Sequence, residues 1–433
     1  MVTHLKYSIA LAFALLLSCS SQKNVVDRYN YIQKPNENGV TIAWMSKNLY
    51  QGKLEWGISK ERLDNTLMDS SPKQEHIFEI EGLTPNTIYY YRSTANTDFE
   101  QPIDSFKTPS ALSDYNFSFL HYGDCGTGKK IQHQIAKRME LEHVDFGLVA
   151  GDVDQGNGDN YDDVFFKPYT NMLRNTCHFT SLGNHDGYAD KGETYLKAFY
   201  LPNNNPDSTE RYYSFEWGNA KFICLDSNDG HGCPDDEGIE KKTQTDWLEQ
   251  ELATNTKKWV FVYFHHPPYT IAWTGDYFFP FKKYPYRHYQ GTEKVRQYWM
   301  PLFKKYKVDF VLTGHSHCYQ RGLHDDTHYV ISGGSGTEDG GLLNGYYYGM
   351  DRIHINKDSL GNKLPKALKR PVETHIVAGN KIEEVYDVKG VMPTVDILIR
   401  QSQYVRFDVS ENSVTFNAYN AQGMLIDKVT KEN

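Results

Sequence analysis

The chain has 433 residues, with 46 Lys plus Arg against 55 Asp plus Glu and a formal net charge of -9. Its 39% hydrophobic and 14% aromatic residues are ample for packed cores, which excludes general disorder, and the length favours two domains over one. The acid excess and the lack of a long basic run argue against a nucleic-acid scaffold, but leave room for a small phosphorylated substrate.

A short basic start ending at Lys6 precedes an apolar run from Ile9 to Leu17, too short to span a bilayer and suited to an export signal. Leu16-Leu17-Ser18-Cys19 then resembles a bacterial lipoprotein signal, in which residues 1–18 are removed and Cys19 is lipidated. An ordinary secretory signal is the alternative. Residues 19–30 read as a polar tether. The expectation is an exported protein, lipid-anchored to a bacterial membrane on its periplasmic or cell-surface side. Cys125, Cys177, Cys224, Cys233 and Cys318 remain, an odd number, and Cys224 and Cys233 are close enough to bridge a loop.

From Tyr31 to Thr108, short β-rich runs alternate with turn residues: Val40 to Trp44, Gly52 to Gly57, His76 to Ile80 and Thr87 to Arg92. This spacing predicts a small antiparallel sandwich over 31–110. Its stretch Leu83 to Arg92, where a Tyr leads into a late strand, resembles the corner of a fibronectin type III-like domain. After Thr108-Pro109-Ser110, apolar strands alternate with helical periods, the α/β signature, over 111–433. Strands are expected at Phe117 to Tyr122, Phe146 to Ala150, His178 to Leu182, Lys221 to Leu225, Trp259 to Phe264 and Phe310 to Thr313. Helical periods fall at Ile131, Ile135 and Met139, from Val164 to Leu173, and from Val295 to Tyr306, with a helix start near Thr243 and Asp246. Residues 339–395 are polar and irregular and read as an insertion loop; Tyr404 to Val409 and Val414 to Tyr419 read as a closing hairpin.

The apolar strands end in residues suited to binding metal, a concentration that hydrophobic packing gives no reason to expect. Gly123-Asp124-Cys125-Gly126, Gly151-Asp152, Gly183-Asn184-His185-Asp186, His265-His266-Pro267 and Gly314-His315-Ser316-His317 follow successive strands. Ligands gather outside the carboxyl ends of strands in open α/β sheets, so these loops are expected to converge. Gly before each Asp or Asn lets the backbone turn sharply. Carboxylate, amide and imidazole donors together suit zinc, iron or manganese rather than calcium. One carboxylate can bridge two ions ~3.5–4 Å apart, and water between such ions becomes a nucleophile near neutral pH. Asp154, Asp159, Asp162 and Asp163 lack the spacing of a calcium loop and read as a solvated loop. Gly333-Gly334-Ser335-Gly336 reads as a turn beside the site, and His121, His133, His143, His178 and His231 as ordinary packed or surface residues.

The order of these five motifs resembles the calcineurin-like metallophosphoesterases, and the sandwich in front resembles the purple acid phosphatases among them. Tyr212-Tyr213-Ser214-Phe215 and Leu225-Asp226-Ser227 support the likeness. It implies an N-terminal all-β sandwich (fibronectin type III-like) plus an α/β metallophosphoesterase domain of two mixed sheets flanked by helices. It also implies two divalent or trivalent ions (Fe, Zn or Mn): Asp124 and His317 on the first, Asn184, His265 and His315 on the second, and Asp152 bridging. His185 would face the phosphate, stabilising it or protonating the leaving oxygen. His266 would contact substrate or support its loop, and His288, beside Arg287, could reach a phosphate or leaving group. The implied activity is phosphate-monoester hydrolysis by a hydroxide bridging the ions. A phosphodiesterase or nucleotide hydrolase, and a non-catalytic surface binding lipoprotein, are the alternatives. Two departures stand out. Purple enzymes carry a Tyr three positions after the bridging Asp, where this chain has Gln155, so a colourless protein is expected. The broader family often has a His two positions after the first Asp, where this chain has Gly126, leaving a first-ion position to Gln155, water or Tyr161.

Overall fold

The computed structural model describes residues 25–95, 100–110, 115–228, 239, 242–270, 292–337, 375–383 and 385–433. Its N-terminal part contains β1 (Val26–Asn36), β2 (Gly39–Tyr50), β3 (Gly52–Gly57), β4 (Asn65–Met68), β5 (Lys73–Ile80), β6 (Ile88–Ala95) and β7 (Asp104–Lys107). They form two antiparallel sheets, ordered β1-β2-β5 and β4-β3-β6-β7. Alternation places Ile42, Leu54, Phe78, Tyr91 and Phe106 in one shared core, as a β-sandwich requires. The Tyr89 hydroxyl accepts the Thr84 N–H at 2.9 Å, a link back from the late strand to the chain before it. β1 starts at Val26, inside the stretch expected to be a tether, because Val26 packs with Trp44 and Ala95.

β1 also joins this part to the rest. The buried Arg28 guanidinium donates to both oxygens of Asp162, at 2.7 and 3.1 Å, and lies 3.9 Å over the Phe166 ring. The Tyr31 hydroxyl donates to Ala198 O at 3.1 Å, and Tyr91 to Arg174 O at 2.6 Å.

The second part contains β8 (Phe117–Tyr122), β9 (Phe146–Val149), β10 (Cys177–Thr180), β11 (Tyr213–Trp217), β12 (Ala220–Cys224), β13 (Trp259–Tyr263), β14 (Phe310–Thr313), β15 (Tyr319–His324) and β16 (Thr327–Ser332). A small hairpin, β17 (His375–Val377) and β18 (Asn380–Ile382), precedes β19 (Val385–Met392), β20 (Val395–Ile399), β21 (Gln403–Val409), β22 (Ser413–Asn420) and β23 (Leu425–Glu432). Two mixed sheets result, β10-β9-β8-β21-β22-β23 and β11-β12-β13-β14-β16-β15-β20-β19. Strands β8, β9 and β10 of the first run parallel, as do β12, β13, β14 and β16 of the second. Helices at Lys130–Met139 and Lys242–Ala253 bury Ile135, Met139, Trp247 and Leu248.

Aromatic packing fixes the two layers against each other. Phe119 and Phe407 of the six-stranded sheet stack at 4.7 Å, and Phe222, Phe261 and Phe310 of the other stack successively at 4.8 Å. Phe119 meets Phe222 and Phe261 edge-on at 5.4 and 5.3 Å, a geometry worth ~0.5–1.5 kcal/mol per pair beyond area burial.

Two expectations change. Part of the presumed insertion, from His375 on, is strand, and β20 pairs with β15 inside the large sheet; residues 338–374 lie outside the described residues. The closing hairpin has a third strand, β23. Cys224 is buried, and Cys233, its candidate disulfide partner, lies outside the described residues. No described helix is long and apolar enough to cross a membrane.

Candidate metal centre

The parallel strands of both sheets deliver their carboxyl ends to one place. β8 leads to Asp124, β9 to Asp152 and β10 to Asn184, while β13 leads to His265 and β14 to His315 and His317. Asp124, Asp152, Asn184 and His265 are buried. The Asp124, Asp152 and His265 donor atoms lie within 4.8 Å of one another, as do those of His265, His266 and His315.

The expected role of the glycines is half right. Of those preceding the Asp and Asn residues, only Gly151 takes a left-handed backbone, at φ 74°; Asp124, Asp152 and His315 themselves adopt φ of 54, 50 and 64°. Such conformations cost a non-glycine residue about 1–2 kcal/mol and are tolerated best by short polar side chains. Gly183 serves close approach instead: a Cβ there would strike the Asp152 backbone N and carboxylate.

Hydrogen bonds aim the donors. His265 Nδ1 donates to Ala150 O at 2.8 Å, which leaves the lone pair on Nε2. That nitrogen lies 3.0 Å from Asn184 Oδ1, 3.1 Å from His315 Nδ1 and 3.4 Å from Asp152 Oδ1. Asn184 Nδ2 donates to the Tyr188 hydroxyl at 2.8 Å, so its carbonyl oxygen faces His265. Lone pairs of an amide, an imidazole and a carboxylate thus confront one another in a buried space, an arrangement that suits a cation and disfavours the bare protein.

On the other side, His317 Nε2 lies 3.3 Å from Asp124 Oδ1. Gln155 Nε2 donates to Asp124 Oδ1 at 3.2 Å and to Asp152 Oδ2 at 3.1 Å, so its carboxamide faces both acids. Tyr161 does not fill this place: its hydroxyl donates to Asp186 Oδ1 at 3.1 Å. Gly126 has no room for a His, since a Cβ would collide with Val153 O.

Burial raises the Asp124 carboxyl well above its usual range, with repulsion from Asp152 adding to it, and burial raises Asp152 as well. Burial holds His265 down to about 3 and His315 well below its ordinary value. Charged acids and neutral imidazoles are the ligating forms, so a cation would restore the first and use the second.

His185 Nδ1 donates to Gly156 O at 2.8 Å, and its Nε2 is 4.0 Å from Asp152 Oδ2, facing the centre. Burial lowers its pKa, but Asp152, the Gly156 carbonyl, Asp186 and Asp124 together raise it. His266 Nδ1 lies 2.9 Å from Ser227 Oγ, which also accepts the His266 N–H at 3.0 Å. Its ring is 4.5 Å from that of His315, so His266 belongs to the cluster as well as to its loop. His288 and Cys19 lie outside the described residues.

Two carboxylates have roles the sequence did not disclose. Asp186 accepts the N–H groups of Val153, Asp154 and Gly183, at 3.2, 3.0 and 2.9 Å, and ties the loop after β9 to that after β10. Burial, then repulsion from Asp152, pushes its carboxyl up to about 7. Asp154 is buried, not solvated: it accepts N–H groups from Gly156, Gly158, Asp159 and Asn160 and shapes the loop that receives His185. The only local signal was acids in a Gly-rich turn with no assigned ligand duty.

Residues 117–319 match the family model of the calcineurin-like phosphoesterases. The matched segment contains every candidate metal ligand. The chain is 26% identical over 267 residues to a purple acid phosphatase of Glycine max, covering 57% of this chain and 52% of that protein. It is 27% identical over 291 residues to purple acid phosphatase 15 of Arabidopsis thaliana, covering 57% and 49%. It thus spans about half the length of these curated relatives. A structure of purple acid phosphatase PPD1 from yellow lupin (Lupinus luteus) seeds aligns with a TM-score of 0.65 at 16% identity, covering 93% of this chain and 74% of that one. A structure of PhoD aligns with a TM-score of 0.58 at 15% identity, covering 93% and 88%. These structural likenesses concern the fold. The matched segment also contains the His/Asp groups that could hold a metal ion.

Proposed function

We infer that this protein is a binuclear-metal phosphoesterase that hydrolyses phosphate monoesters, exported and held to a bacterial membrane through lipidated Cys19. The observation that carries the reading is the buried meeting of Asn184 Oδ1, His265 Nε2 and Asp152 Oδ1, three acceptors that a cation would reconcile. Asp124, His317 and, with its amide inverted, Gln155 offer a second donor set sharing Asp152. Bound ions would supply an activated water and neutralise charge on the phosphoryl oxygens. The chain's own residues do the rest. His185, held through Nδ1 by Gly156 O, presents Nε2 where it can give a proton to the departing oxygen. His266, braced by Ser227, stands beside His315 where a phosphoryl oxygen would seek a hydrogen bond. The leader motif supports export, and the Tyr89–Thr84 corner supports a fibronectin type III-like sandwich.

Elemental analysis after metal-supplemented purification should find about two ions per chain. Turnover of an aryl phosphate should exceed that of a bis-aryl phosphate; diester turnover with monoester silence would give the site to a phosphodiesterase. Asp152→Asn and His315→Ala should abolish activity with folding intact, and unchanged rates in both would favour a binding lipoprotein.

A further inference from the structure

One exposed side chain touches both a candidate ligand and the candidate proton donor. Tyr188 follows the short turn His185–Gly187 and is 40% exposed. Its hydroxyl takes the Asn184 N–H at 2.8 Å, four residues back along the chain, and its ring leans on that of His185 at 4.6 Å, tilted by 54°. We propose that Tyr188 is a positioning residue, its hydroxyl fixing the Asn184 carboxamide toward the metal and its ring bracing His185.

This role for Tyr188 rests on the metal reading above. A carboxamide swings about its last bond and can present either end to the site. Asn184 is a ligand only when its oxygen faces inward, and a partner outside must then hold its nitrogen. Tyr188 is at that outer end, while His265 Nε2 marks the inner one at 3.0 Å. His185 is anchored at Nδ1 by Gly156 O, which fixes one edge of the ring but not its tilt. The Tyr188 ring limits the tilt, and with it the direction of Nε2. The hydroxyl thus governs metal affinity and the ring governs proton delivery.

Two substitutions separate these duties. Tyr188→Phe removes the hydroxyl and keeps the ring; Tyr188→Ala removes both. Outer hydrogen-bond partners of metal ligands typically contribute 10–100-fold to affinity. Zinc titration against a competing chelator should therefore show Tyr188→Phe weakening one of the two ions about 10-fold, with the other unchanged. Tyr188→Phe should raise the zinc concentration needed for half-maximal turnover of an aryl phosphate about 10-fold. Tyr188→Ala should lose kcat most for esters with poor leaving groups, which depend on protonation. Wild-type affinity for both ions in Tyr188→Phe would overturn this proposal alone. A wild-type protein that binds no zinc would overturn the metal reading and this proposal with it. Should Tyr188→Ala fail to fold, the Phe variant decides.

Discussion

Acidification from pH 7 to pH 5 should destabilise the wild-type protein by about 2 kcal/mol more than it destabilises a His178→Asn variant. His178 lies in β10, buried, and its Nδ1 is 2.7 Å from the Tyr122 hydroxyl. Burial raises the Tyr122 phenol well above its ordinary value, so the phenol keeps its proton and donates it to a neutral imidazole. Burial also holds His178 down to about 3. The unfolded chain returns it to about 6.5, so between these values the unfolded state binds a proton that the folded state refuses. Stability is therefore lost as pH falls below ~6.5, and the loss levels off below about 3. At ~1.4 kcal/mol per pH unit, the roughly 1.5 units from 6.5 to 5 amount to ~2 kcal/mol. Asn at this position can still accept from Tyr122, and the cavity it leaves adds an offset that does not vary with pH. His121 is likewise held down to about 3, whereas Glu210 is pushed up to about 7 by burial and acts in the opposite direction. Both occur in both proteins and cancel in the difference. Urea unfolding at matched metal loading measures it, and stability curves that run parallel from pH 7 to pH 5 would refute the reasoning.

Gly183→Ala should lose metal affinity and ~1–3 kcal/mol of stability, because the added methyl meets the Asp152 backbone and carboxylate; chelator titration and thermal melting report the two effects. Arg28→Ala should cost about 2 kcal/mol by stripping Asp162 and Phe166 of the buried guanidinium, read as a lower urea midpoint. Metal-replete protein should be colourless, since an amide at Gln155 gives ferric iron no phenolate; an iron-tyrosinate band in the visible spectrum would contradict this.

The sequence disclosed what short-range pattern determines. β8 and β14 match their predicted limits because each is an apolar run closed by Gly and a polar residue. The candidate ligands were legible for the same reason, as polar residues directly after buried strands. β15 was hidden because its polar residues find distant partners: Gln320 reaches Thr270, and Arg321 reaches Asp427. β20 is a strand only because β15 and β19 flank it. Asp186 and Asp154 escaped because most of their partners are backbone N–H groups, which carry no residue identity. Tyr188 could have been found from its place four residues after Asn184, had the turn between them been foreseen.

Asp124, Asp152 and Asn184 ride on one sheet, and His265, His315 and His317 on the other. A cation shared between them would rivet the two layers together, and neither half alone would hold it well. Loading would therefore come after the layers have closed, making metal uptake a readout of completed assembly. Any slippage along the aromatic seam would loosen the rivet before it changed either sheet.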